Sequence, residues 1–166
     1  MAQDYAEAVR WYRAAAEQGK ALAQQNLGYM YGQGQGVAQD YAEAVRWYRA
    51  AAEQSKAVAQ YNLGNMYNHG QGVAQDYGEA VRWYRKAAEQ GYATAQLMLG
   101  LMYHLGRGAV QDYITAHMWS NIATANGHED GEEVRTLIAG GMTAEAISEA
   151  QRRARTCMES GYQECD

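Results

Sequence analysis

The sequence predicts an all-α fold, a stacked array of helical hairpins, on three observations. First, the chain matches itself at a shift of 36 residues: Asp4, Asp40, Asp76 and Asp112 fall in register, as do Trp11, Trp47, Trp83 and Trp119. Self-similarity at a period of roughly 20 to 50 residues marks units that bury their apolar faces by stacking on neighbours. Second, Tyr41, Ala44, Val45, Tyr48, Ala51 and Ala52 recur at the spacing of an amphipathic helix. Third, Asp40 stands ahead of that run as an N-cap, and in most copies a glycine (Gly19, Gly91, Gly127) follows it to take the left-handed conformation; Ser55 departs there, at a cost in strain.

In chain order, the first element is a helix of this kind, helix B, with no partner before it. Its Tyr5, Val9 and Tyr12 face is expected to be partly uncovered and open to self-association, and Met1 need not be the natural start. In the second copy Glu43, three residues after Asp40, is placed to complete a capping-box pair. A second helix, helix A, follows each helix B; in the clearest copy it runs from about Lys56 to Asn68, with Ala59, Leu63, Met66 and Tyr67 inward. Gly28, Gly64 and Gly100 recur in mid-helix, where glycine costs about 1 kcal/mol relative to alanine, so helix-helix packing too close for a methyl group is expected. The linker Gly70 to Gln75 is a tight glycine-rich loop. Its G-Q-G-V follows a helix and lacks a P-loop lysine, which argues against nucleotide binding. The four tryptophans recur on the helix B frame and are read as packing residues. In the last helix B, His117, Met118, Ser120 and Asn121 break the pattern, as expected where a regular neighbour gives way to a cap.

Composition bounds the function. A net charge of -5, with both signs interspersed, leaves no basic stripe for nucleic acid. No apolar run approaches the roughly 18 residues of a spanning helix, so no membrane insertion is expected. His69, His104, His117 and His128 show no metal-ligand spacing, and no cofactor or metal is expected.

Residues 4–39 and 40–75 are identical at 30 of 36 positions. The six differences are Gly19/Ser55, Leu22/Val58, Gln25/Tyr61, Tyr29/Asn65, Gly32/Asn68 and Gln33/His69. Five lie in helix A, within about 100° of one helical face. The third copy varies there again, at Thr94, Leu97, Leu101, His104 and Leu105. Free drift at exposed positions would alter the outer face of helix B as well. Yet Glu7, Arg10, Arg13 and Glu17 recur unchanged at Glu43, Arg46, Arg49 and Glu53 and again at Glu79, Arg82, Arg85 and Glu89. The stripe is therefore expected to be a diversified binding surface for a protein or peptide, with Tyr29 and Tyr61 as anchors.

The combination Leu27-Gly28, Tyr31, Gly34, Gly36-Val37, Asp40, Ala44, Trp47 and Ala51-Ala52, recurring at 36 residues, resembles the Sel-one-like repeat, a helical-hairpin relative of the tetratricopeptide repeat. The resemblance implies a right-handed αα superhelix (solenoid), A helices on its concave surface, and a role as adaptor or scaffold. It implies an array over residues 1–127, a lone helix B and then three A/B units, with a C-terminal helical cap over 128–166. The cap is carried by the weaker match of Glu132 to Ala154. A spacer without a specific ligand is the alternative function. Some cysteine-rich relatives have been labelled as penicillin-binding or beta-lactam-hydrolysing proteins. Here Ser55, Ser120, Ser148 and Ser160 lack a lysine at the third following position, so a cell-wall or beta-lactam hydrolase is not expected.

Aligning Gly161 with Gly19 sets Cys157 over Ala15 and Cys165 over Ala23, small residues on successive helices across a turn. Cysteine-rich relatives carry bridges at this spacing, so a disulfide between Cys157 and Cys165 is one expectation and two reduced thiols are the other. A bridge would imply a periplasmic or secreted chain; free thiols would fit the cytoplasm.

Overall fold

The computed structural model describes residues 2–165, with side chains from residue 4 onward; Met1, whose standing as a natural start was in question, lies outside them. The described residues form nine α-helices and no strands. The chain divides by compactness into two units, residues 1–76 and 77–166.

The first unit holds α1 (Ala2–Glu17), α2 (Ala21–Gln33), α3 (Tyr41–Glu53) and α4 (Ala57–His69). Helix α2 packs on α1 and α3, and α4 packs on α3. Its core gathers Val9, Ala16, Ala23, Leu27, Met30 and Trp47. Leu27 and Leu63 are completely buried, each worth about 2 kcal/mol in removed apolar surface. A methyl group on Gly28 would lie 2.9 Å from the Tyr48 ring, the close approach expected of a mid-helix glycine. In the loop, a Cβ on Gly72 would overlap the Tyr41 carbonyl, and Gly72 also has a φ of 71°. Only glycine satisfies both conditions.

The Tyr5, Val9 and Tyr12 face of α1 is partly uncovered: Val9 is buried in the α1–α2 core and Tyr12 half-buried against it, whereas Tyr5 stays exposed. Two other expectations are corrected. Trp11 is 71% exposed, unlike Trp47 at 6%. Trp47 turns into the α1–α2 hairpin, and no described element stands in the corresponding place beside α1. Finally, the Asp40 carboxylate caps α3 by accepting from the N–H groups of Ala42 (2.9 Å) and Glu43 (3.0 Å), but no capping-box pair closes. The Asp40 N–H donates to the Tyr31 carbonyl instead, and Glu43 pairs with Arg46 at 3.1 Å.

Side chains fasten the joints of the hairpins. Gln24 donates to the Ala16 carbonyl (3.1 Å) and Gln60 to that of Ala52 (3.1 Å), tying each A helix to the end of the preceding B helix. Arg13 and Arg49 donate to the hydroxyls of Tyr31 (2.6 Å) and Tyr67 (2.8 Å). Gln39 and Gln75 donate to the carbonyls of Gly32 (2.7 Å) and Asn68 (2.8 Å), satisfying orphan acceptors at the A-helix C-termini.

The second unit holds α5 (Tyr77–Ala88), α6 (Ala93–Leu105), α7 (Tyr113–Ala125), α8 (Gly131–Ala139) and α9 (Ala144–Glu159). Helix α6 packs on α5 and α7, and α7 also packs on α8 and α9. The same fasteners recur: Gln96 to the Ala88 carbonyl at 3.0 Å, Arg85 to the Tyr103 hydroxyl, and Gln111 to the His104 carbonyl at 2.7 Å. Partial burial would raise the Asp112 carboxyl. Hydrogen bonds from Thr115 and Ile114, with the Arg153 charge, hold it below its ordinary value instead, as suits an N-cap.

The irregular residues of α7 are core. His117, Met118 and Ser120 are buried, and Asn121 accepts from Arg135 of α8 at 3.1 Å. Burial, and then the Arg135 charge, push His117 below its ordinary value. The unfolded chain therefore binds the proton more readily than the folded one, and stability falls as pH drops through and below about 6.5. Urea midpoints of the wild type should decline between pH 7 and 5.5, and His117→Gln should flatten that slope. An equally steep slope in the variant would exclude His117 as its source.

Cys157 and Cys165 are joined, with Cα atoms 4.5 Å apart and both residues buried. The turn they close reproduces the end of a helix B. Tyr162 N–H donates to the Cys157 carbonyl as Lys20 N–H does to Ala15, and Asn126 donates to the Tyr162 hydroxyl at 2.8 Å. Intact mass with and without reductant should differ by about 2 Da, and reduction should cost about 2 kcal/mol or less for so short a loop. Full alkylation of untreated protein would contradict the bridge.

Candidate functional site

The varied positions of α2 and α4 occupy equivalent faces of two helices that pack on the same α3. The frame residues of each helix fix which face remains. With Ala23, Gln24, Leu27, Gly28 and Met30 buried, Leu22, Gln25, Tyr29 and Gln33 fall on the opposite side of α2. Leu22 is 61% and Tyr29 48% exposed, Gln33 is exposed and Gln25 half-buried. On α4, Val58 and His69 are exposed, while Tyr61, Asn65 and Asn68 are half-buried. His69 Nδ1 lies 2.9 Å from the Asn65 carbonyl, one turn back, which steadies the ring at the helix end. Tyr29 also neighbours Tyr48, whose hydroxyl is pushed well above its ordinary value by burial and then by Tyr29. The varied Gly32 is buried, and a methyl group added there would lie 3.8 Å from the Ala44 and Met66 side chains, so the position is packing rather than surface.

In α6, Thr94, Leu101 and His104 are half-buried and Leu105 is 50% exposed. Leu97 is 5% exposed and belongs to the core, so it offers no side chain to a partner. The α6 sequence is the most apolar of the three A helices, and an extra leucine there packs instead of projecting. The His104 ring meets Tyr113 edge-on at 5.5 Å between centroids.

The helix B faces have a different character. Arg46 pairs with Glu43 and its guanidinium lies 4.6 Å over the Trp47 ring; Arg82 repeats this over Trp83 at 5.0 Å. These charges are occupied in holding the helix surface. The buried glutamines Gln24, Gln60 and Gln96 and the Arg–Tyr pairs were not assigned roles from sequence. Their signal was present: a glutamine unchanged in all three A helices among apolar neighbours, and an arginine and a tyrosine 18 apart that recur together in three copies.

Two of the four serines are structural, since Ser120 donates to the Ala116 carbonyl and Ser160 to that of Cys157. Among the described residues no group of three or more His, Cys, Asp or Glu is arranged to hold a metal. No helix of the described residues is long and apolar enough to cross a membrane.

The family model described as Sel1 repeat matches residues 1–20, 21–56, 57–92 and 93–128, each full match opening at an A helix and closing after a B helix. Among solved structures, a Sel1 repeat protein from Oxalobacter formigenes is 38% identical, with 75% of this chain and 94% of that one covered and a TM-score of 0.69. A protective antigen of uropathogenic Escherichia coli displaying an SLR fold is 30% identical over 93% of this chain, with a TM-score of 0.71. The chain spans 42% of the length of that antigen. Helicobacter pylori cysteine rich protein B, 22% identical over 81% of this chain and 96% of its own, shares the fold with a TM-score of 0.64. Among curated proteins, none matches the sequence.

Proposed function

Because the chain belongs to the Sel1 repeat family, whose members generally act as protein-interaction scaffolds, we propose that it binds a protein or peptide partner through the varied stripes of its A helices. One observation carries this reading: two copies identical at 30 of 36 positions differ almost wholly on one helix face, which is largely open to solvent. The conserved fasteners hold that face rigid before a partner arrives, which reduces the ordering cost of binding on this side. Tyr29 and Tyr61 supply stiff contact area, and Gln25, Gln33, Asn65 and Asn68 supply adaptable hydrogen bonding. The Cys157–Cys165 bridge favours an oxidising compartment, periplasmic or extracellular, as the place where this happens.

The test is affinity capture from source-cell extract by the wild type and by a Tyr29→Ala, Tyr61→Ala, His69→Ala variant of equal helicity. The proposal expects a captured protein to be lost, at about tenfold or more in affinity, from the variant. Equal capture by both would move the role to another surface, and capture by neither would favour a spacer.

A further inference from the structure

The stripe of the first unit has a chemical character that narrows what it can hold. Neither α2 nor α4 contains an Asp, Glu, Lys or Arg, although α3, on which both pack, carries Glu43, Arg46, Arg49 and Glu53. The charges nearest in sequence, Lys20 and Lys56, stand one residue outside the N-terminal ends of the two helices, and the basic residue on the stripe is His69 at the C-terminal end of α4. We propose that this α2–α4 surface recognises an uncharged, extended peptide segment; the inference rests on the binding reading above and specifies its ligand.

The physical argument is one of charge complementarity. A ligand carboxylate or ammonium seated in the middle of the stripe, against Gln25, Tyr29 and Tyr61, would lose hydration and find no Asp, Glu, Lys or Arg on either helix to offset it, a cost that a neutral residue does not incur. The amides that line the stripe offer both a donor and an acceptor each. A peptide main chain presents the same pair at every residue, N–H and C=O, and an extended segment leaves them unpaired and available. Gln25, Gln33 and Asn68 are thus matched to backbone rather than to a charged side chain, while Tyr29 gives the segment a flat surface to lie on. Recognition of this kind reads neutrality and extension before it reads sequence, and it is insensitive to salt.

The experiment pans a displayed library of random peptides, about 12 residues long and so about 40 Å when extended, against the full chain. Tyr29→Arg and Gln33→Arg variants, both at exposed positions and checked for unchanged helicity, serve as the comparison. The expected result is a selected pool depleted in Asp, Glu, Lys and Arg relative to the starting library. Individual peptides should bind with less than about twofold change between low and roughly 0.5 M salt, and about tenfold more weakly to either arginine variant. Selection of peptides rich in one sign of charge, salt-sensitive and still lost on the arginine variants, would overturn the neutral-ligand inference while leaving the binding surface standing. Peptides that bind the variants as well as the wild type, or no enrichment at all, would overturn both.

Discussion

Replacing Gly72 by alanine is expected to destabilise the first unit by more than about 3 kcal/mol, because two independent costs fall on one atom. The left-handed backbone at φ 71° charges any Cβ about 1 kcal/mol or more. The same Cβ would also overlap the Tyr41 carbonyl in the first turn of α3, so the loop or the helix must move. Gly19 provides the control. Its φ is 80°, yet nothing lies within 4 Å of the place a Cβ would take, and the equivalent Ser55 already tolerates φ 59° in this chain. Gly19→Ala should therefore cost only the backbone strain, about 1 kcal/mol. Urea unfolding followed by far-ultraviolet circular dichroism measures both. Similar losses at the two sites would show that the loop does not approach α3 as closely as described.

A second contrast uses two residues that the sequence presents as equivalent. Trp47→Ala should cost about 3 to 5 kcal/mol, since the ring fills the core beside Leu27, Met30 and Val9. Trp11→Ala, at the same place in the repeat but 71% exposed, should change stability by no more than about 0.5 kcal/mol. The buried indole Nε1 of Trp47 has no hydrogen-bond partner, so Trp47→Phe should recover most of the loss by removing an unpaid polar group along with a little volume. Circular dichroism again reads all three without depending on the residue being replaced. Equal losses at positions 11 and 47 would mean that α1 is covered much as α3 is.

These cases mark how far sequence alone reaches. The period of 36, the Asp40 cap and the left-handed residues after each helix B are local features, and each was legible because backbone chemistry restricts which residues can serve there. The meeting of Cys157 and Cys165 was legible too, through superposition of a degenerate end on a regular one. Trp11, Leu97 and Gly32 were misread for a common reason. A repeat alignment assigns one environment to equivalent positions, whereas burial depends on which neighbour stands beside each copy. The capping box failed similarly, because the Tyr31 carbonyl, distant in sequence, claimed the N–H that Glu43 would have taken. For the stripe itself, the sequence supplied the positions, and the structure supplied their unequal exposure and the uncharged surface they form.

The central claim is that a partner lies on the A-helix stripe and not on the charged face of the B helices. It is tested most directly by placing a photoreactive benzophenone side chain at position 33, on the exposed end of the α2 stripe, or at position 46, on the exposed face of α3. Irradiation with the captured partner should give a covalent adduct from position 33 and none from position 46. An adduct from position 46 alone would contradict the account and move recognition to the face that the repeats keep constant.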